Sequence, residues 1–131
     1  MKEYERKAIQ EIMRKLLLKG SERSFRYFDS DSGYEIVFEW DGAGISNAGG
    51  IVLIELELGG ISVWHIQTHL CRLAVMIAQG TPVERLVWVI DQGVFQSIKN
   101  QVDLWLAFFR PVCKVSLPNM EYITPSGELL R

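Results

Sequence analysis

Asp41, Glu55 and Glu57 stand out in the stretch EWDGAGISNAGGIVLIELELGG, residues 39 to 60. Asp41 ends one alternating apolar run, and Glu55 and Glu57 lie one residue apart inside the next. Residues two apart on a strand share a face, so Glu55 and Glu57 point the same way. If residues 34 to 41 and 51 to 58 are neighbouring antiparallel strands, Asp41 joins them at one end. Clustered carboxylates repel one another and raise each other's pKa, which a cation relieves, and oxygen ligands with water suit Mg²⁺ or Mn²⁺. Asp41, Glu55 and Glu57 therefore read as a hard-metal site. The other reading makes Asp41-Gly42 a turn and sets the two glutamates on the solvent face of an edge strand, paired with Lys or Arg. Ile51 and Leu53, on the same face as the glutamates, favour a covered strand.

The elements that must position these groups follow from periodicity. Residues 3 to 19 carry Ile9, Ile12, Met13, Leu16 and Leu17 at helical spacing and stop at Gly20. At roughly 100° per residue, Glu5 falls in the sector of Ile9, Ile12 and Leu16, and Glu11 points away. Glu5 is thus the acid of this helix placed to face inward as a fourth site residue, or else it complements the positive helix end. SFRYFDSDSG and YEIVFEW read as two strands about an Asp/Ser/Gly turn, with Tyr34, Ile36, Phe38 and Trp40 on one face. GAGISNAGG reads as a loop, IVLIELEL as a strand broken at Gly59-Gly60, and ISVWHIQTHLCRLAVMIAQG as a second helix. RLVWVI has the continuous apolar character of a strand buried on both faces. VFQSIKNQVDLWLAFF reads as a third helix stopped by Pro111, and CKVSL as the last strand. The expected fold is α/β, in the order α-β-β-β-α-β-α-β, with a mixed sheet of about five strands flanked by helices.

A helix with an inward acid, a strand ending in Asp41, the run IELEL with Glu55 and Glu57 two apart, then a helix and a further strand resemble the core of the PD-(D/E)XK nuclease superfamily. Restriction endonucleases and Holliday-junction resolvases belong to it, and the resemblance covers residues 3 to 90. It implies a restriction-endonuclease-like core, Asp41 and Glu55 as ligands of Mg²⁺ or Mn²⁺, and Mg²⁺-dependent hydrolysis of DNA phosphodiester bonds as an endonuclease. Glu57 occupies the position where most members carry lysine, although some restriction enzymes have Glu or Gln there. Trp40 stands where the motif has proline. Related nucleases of the RecB-like branch carry a glutamine on the helix after this strand, which makes Gln67 an active-site neighbour; the alternative is a buried structural glutamine. A catalytically inactive binding or assembly protein on the same fold is the rival reading, favoured by Glu57 and by the net charge.

In the second helix, Ile66, Leu70, Leu73 and Ile77 form one apolar stripe, and Trp64, Cys71, Val75 and Ala78 another. Two such stripes imply burial on two sides. His65 and His69, with Arg72 a turn further, take the remaining strip; an i, i+4 His pair can bind a transition metal, but no third ligand is obvious, so the strip reads either as a phosphate-contacting surface or as an exposed face without a role. Surplus apolar surface on the second and third helices points to a homodimer.

Length and composition bound these readings. The chain has 131 residues, 48% hydrophobic and 23% charged, which suits one domain spanning residues 1 to 131. Fourteen Lys and Arg against sixteen Asp and Glu give a charge of −2, so DNA would have to meet a local basic patch. Lys2, Arg6, Arg14, Lys15, Lys19, Arg23 and Arg26 are the dense basic region. Neither a membrane span nor a signal peptide is legible, so the expected compartment is the cytoplasm. Cys71 and Cys113 have no metal-finger spacing and are expected as reduced thiols.

Overall fold

The computed structural model describes residues 1–59 and 63–131, with Val63 described by its backbone only. The strand break at Gly60 and the helix start at Ile61 and Ser62 lie outside the described residues. The elements are α1 (Glu3–Lys15), β1 (Lys19–Gly20), β2 (Ser24–Phe28), β3 (Glu35–Glu39), β4 (Gly42–Ile45), β5 (Ile51–Glu57), α2 (Val63–Ala78), β6 (Val83–Ile90), α3 (Phe95–Phe109) and β7 (Asn119–Ile123). A single 3-10 turn, Gln92–Val94, leads into α3.

Five strands form a mixed sheet in the order β1-β4-β5-β6-β7, while β2 and β3 pair separately as a hairpin. β4 runs antiparallel to β1 and β5, whereas β5, β6 and β7 are mutually parallel. The two parallel crossovers step in one direction across the sheet. With right-handed crossovers, that sets α2 and α3 on one face. Leu53, Leu86, Trp88, Ile90 and Tyr122 meet Ile66, Leu70, Leu73, Ile98, Val102 and Leu106 there. α1 covers the opposite face, where Ile9 and Ile12 pack on Val52, Ile54, Leu56, Val87 and Val89. A sheet covered on both sides needs strands apolar on both faces, which is how β6 reads. Among the described residues, no helix is long and apolar enough to cross a membrane.

Several expected elements differ. α1 stops at Lys15, four residues short of the expected end, because Leu17 enters the left-handed region at φ 56°. The Leu18 amide then bonds back to the Met13 carbonyl and the Leu17 amide to that of Arg14, which closes the helix so that Lys19 can pair with Ile45. The loop expected at GAGISNAGG is shorter than its composition suggests. Gly42–Ile45 is β4, the partner of β5 in place of residues 34 to 41, and only Ser46 to Gly50 form the turn. The last strand is Asn119–Ile123 rather than CKVSL, with Arg85 bridging from β6 to Glu121 at 2.9 Å. Of the two apolar stripes on α2, the second is not buried: Trp64 and Cys71 are exposed.

Glycine in β4 is a packing requirement. A Cβ on Gly42 would stand 2.8 Å from Ile9 Cγ2, and one on Gly44 2.7 Å from Leu18 Cβ, so the small residues let α1 and its exit lie against the strand. Gly42→Ala is expected to cost about 1–3 kcal/mol through overpacking. Gly59→Ala, whose Cβ meets nothing within 4 Å, should change stability by less than about 0.5 kcal/mol. Equilibrium urea unfolding of the two variants checks this, and equal losses would show that β4 has room to spare.

The sheet margins are short. β1 contributes two residues at one side, and at the other Leu129 returns to bridge Ile123 while the Leu130 amide bonds to the Tyr122 carbonyl.

Candidate metal site

β5 alternates about the sheet plane, with Val52, Ile54 and Leu56 towards α1 and Leu53, Glu55 and Glu57 towards α2. β5 is a central strand, between β4 and β6, so the solvent-edge reading of the glutamates does not apply. Glu55 is 4% exposed, which leaves a carboxylate at the heart of an apolar layer. Such a group must be hydrogen-bonded, paired or neutral.

Its two oxygens have different partners. The Asp41 amide donates to Glu55 Oε1 at 3.2 Å, and Glu55 Oε2 lies 3.2 Å from His69 Nε2. Asp41 occupies the joint between β3 and β4, where its Oδ2 accepts from the Leu56 amide at 2.8 Å. The two acids are thereby fastened across the β4–β5 ladder. Glu57 Oε1 stands 3.7 Å from the same imidazole nitrogen. Burial, and then the negative charge of Asp41, push the Glu55 carboxyl up to about 9.

His69 comes from the core face of α2, which Ile66, Leu70, Leu73 and Met76 define at helical spacing. Its ring lies between Trp40 and Trp88, with centroids 5.6 Å from each, the second edge-on. Among the described residues, Nδ1 has no hydrogen-bond partner. Only Nε2 is directed at other polar atoms.

Glu55, Glu57 and His69 each offer one ligand atom, and these atoms lie within 4.8 Å of one another, close enough to hold a metal ion together. Side-chain exposure rises from 6% at Glu55 through 11% at His69 to 16% at Glu57. Solvent thus reaches the group from the Glu57 side, at the C-terminal ends of the parallel strands, where open α/β sheets bind ligands.

Of the residues singled out in the sequence, Asp41, Glu55 and Glu57 come together around the β4–β5 junction, with Asp41 beside the ligating group rather than in it. Glu5 does not join them: its carboxylate accepts from the Lys2 amide at 3.2 Å and closes the start of α1. Gln67 lies two positions from His69, about 200° around the helix. There it lines a groove with Leu70, Cys71, Trp105 and Phe109 between α2 and α3. Arg72 stacks its guanidinium over the Phe38 ring at 5.7 Å and so ties the hairpin to α2, where a phosphate contact was one expectation.

The site residue that sequence reasoning placed wrongly is His69, assigned to a polar strip with His65. The signal was its spacing of three from Ile66 and four from Leu73, which puts it on the core face whatever its polarity.

Asp41 also lines a cleft of about 390 Å³ with Arg6, Ile9, Met13, Ser21, Arg23 and Gly42. Arg6 is paired with Glu3 at 3.6 Å and Arg23 with Glu39 at 3.2 Å, both at the surface. Exposed pairs of this kind are worth little, so either guanidinium can turn to an arriving anion. A larger cleft, of about 530 Å³, separates the hairpin from the end of α2 at Tyr27, Tyr34 and Val75, and none of the candidate residues lines it.

The chain matches no protein-family model and no curated protein.

Proposed function

We propose that this chain is a metal-dependent phosphodiester hydrolase that cleaves DNA, on a restriction-endonuclease-like core. The observation that carries the reading is the convergence of Glu55, Glu57 and His69 beside Asp41, which also lines a cleft with two arginines against α1. The element order of α1, β4, β5, α2 and β6 around that group supports it further. The two carboxylates of β5, confined together at the rim of the core, fit a divalent ion.

A divalent ion held there would stabilise the charge that builds on phosphorus and its oxygens during attack. The chain's own groups supply the rest. Arg6 and Arg23, in the cleft that Asp41 lines against α1, would hold the DNA backbone by charge-assisted hydrogen bonds. Glu57, the most exposed carboxylate of the group, takes the proton of a water whose oxygen forms the new bond to phosphorus. The bond from phosphorus to the leaving ester oxygen breaks, and that oxygen is protonated from solvent. Asp41 fixes Glu55 through its amide and the end of β5 through its carboxylate.

Asp41→Asn tests the reading, because its side-chain oxygen can still accept from the Leu56 amide while the charge is gone. Cleavage of supercoiled and linear DNA with Mn²⁺ should fall on the order of 100-fold or more with the melting temperature little changed. A variant that cuts as well as its parent refutes the assignment.

Glu57, in place of the lysine most nucleases of this kind carry, favours a second reading, an inactive protein that keeps the fold to bind DNA or a partner. DNA bound but left intact by the parent protein would select it.

A further inference from the structure

We infer that His69 is itself a metal ligand, and that its imidazole makes the site select a first-row transition ion such as Mn²⁺ over Mg²⁺. This rests on the metal-dependent reading above and specifies its ion.

Distances come first. Ligand atoms about 2.1 Å from one ion stand roughly 3.0 Å apart at an octahedral edge and 3.4 Å apart at a tetrahedral one. Nε2 of His69 lies 3.2 Å from Glu55 Oε2 and 3.7 Å from Glu57 Oε1. Both nitrogen–oxygen distances thus lie within a few tenths of an ångström of a ligand spacing, and all three ligand atoms lie within 4.8 Å of one another.

Confinement comes second. His69 is 9% exposed and sits between two tryptophans that are themselves 1% and 0% exposed. Trp40 is further held by a contact from its Nε1 to Met76 Sδ at 3.2 Å. The imidazole has no room to swing aside, so an ion bridging Glu55 and Glu57 must meet a nitrogen. Glu55 is equally confined, its other oxygen being occupied by the Asp41 amide.

Chemistry comes third. Mg²⁺ takes oxygen ligands in near-ideal octahedral geometry and gives up its waters reluctantly, so a fixed nitrogen in place of one of them penalises it. Imidazole with carboxylates suits Mn²⁺, Fe²⁺, Co²⁺ or Zn²⁺. With Nε2 on the ion, the ring proton sits on Nδ1, which has no hydrogen-bond partner among the described residues.

The test is electron paramagnetic resonance of the whole chain titrated with MnCl₂ and then with MgCl₂. Bound Mn²⁺ should show coupling to a nitrogen nucleus, and Mg²⁺ should displace it only at about 100-fold excess or more. His69→Gln should abolish the coupling and bring the two affinities within about tenfold. The coupling is read on the unmodified protein, so the outcome does not depend on the variant folding. Mn²⁺ bound without nitrogen coupling, or displaced by Mg²⁺ at parity, overturns the assignment of His69. If DNA is then still cut with Mg²⁺, the hydrolase reading stands without it. Failure to bind either ion, together with intact DNA, overturns both.

Discussion

Glu55→Gln should make the metal-free protein more stable at neutral and alkaline pH while removing metal binding. The sign follows from the carboxyl being raised from its ordinary 4.5 to about 9 in the folded chain. Below pH 4.5 the group is protonated in folded and unfolded chains alike, and its contribution is fully present. Between 4.5 and 9 the unfolded chain ionises and the folded chain does not, so stability is lost by about 1.4 kcal/mol per pH unit. By pH 7 the loss is about 3 kcal/mol, and it levels off above pH 9. Glutamine has the shape of the neutral acid and does not titrate. Calorimetric melting in a chelator should therefore show the parent losing stability from pH 5 to pH 8 and the variant nearly flat over that window. Metal binding and DNA cleavage should be absent in the variant. A parent whose melting temperature is flat over this range would show that Glu55 is already ionised and paired, against the premise. A site that costs stability until its ligand arrives is a mark of function.

Trp40→Ala should be the most damaging single truncation near the site. Trp40 is 1% exposed and lies where β3 passes into β4, one residue from Asp41. Its loss removes a wall of the His69 pocket, the contact to Met76, and a large share of the layer between β4 and α2. Phe or Trp to Ala in a core costs about 3–5 kcal/mol. For a chain of this size that lowers the melting temperature by more than about 10 °C. Trp40→Phe keeps most of the volume and should recover more than half of the loss. Thermal melts of the two variants measure this, and equal destabilisation would mean that the indole contact to sulfur, rather than filled volume, is what matters there.

Much of this site was legible because strand periodicity is strict. A spacing of two puts Glu55 and Glu57 on one face, and Ile51 and Leu53 announced that the face is covered. What sequence reasoning missed had local patterns that tertiary packing overrode. Gly42 to Ile45 has loop composition, yet glycine is required because Ile9 and Leu18 come so close. CKVSL and NMEYI alternate almost equally well, and the choice between them rests on pairing with β6 through Arg85 and Glu121 and on Tyr122 meeting Phe95. His69 was misplaced because a polar residue was read as an outward one, although its position on the helix pointed inward. Glu5 had the angle of an inward residue but stood in the first turn, where the unsatisfied amides of the helix start compete for a carboxylate.

The margins of the sheet bear on how molecules of this protein meet one another. An open sheet is a template for strand addition, and uninterrupted borders seed edge-to-edge polymers. Here one border presents a ladder of two residues, Lys19 and Gly20, the first of them a lysine. The other is occupied at Tyr122 to Thr124 by the chain's own return through Glu128 to Leu130. Among the described residues, a recruited strand would find the two residues of β1 on one side and Asn119 to Glu121 on the other. The apolar strands that bury Glu55 are thus kept from propagating into a fibril by the brevity of one border and the self-occupation of the other.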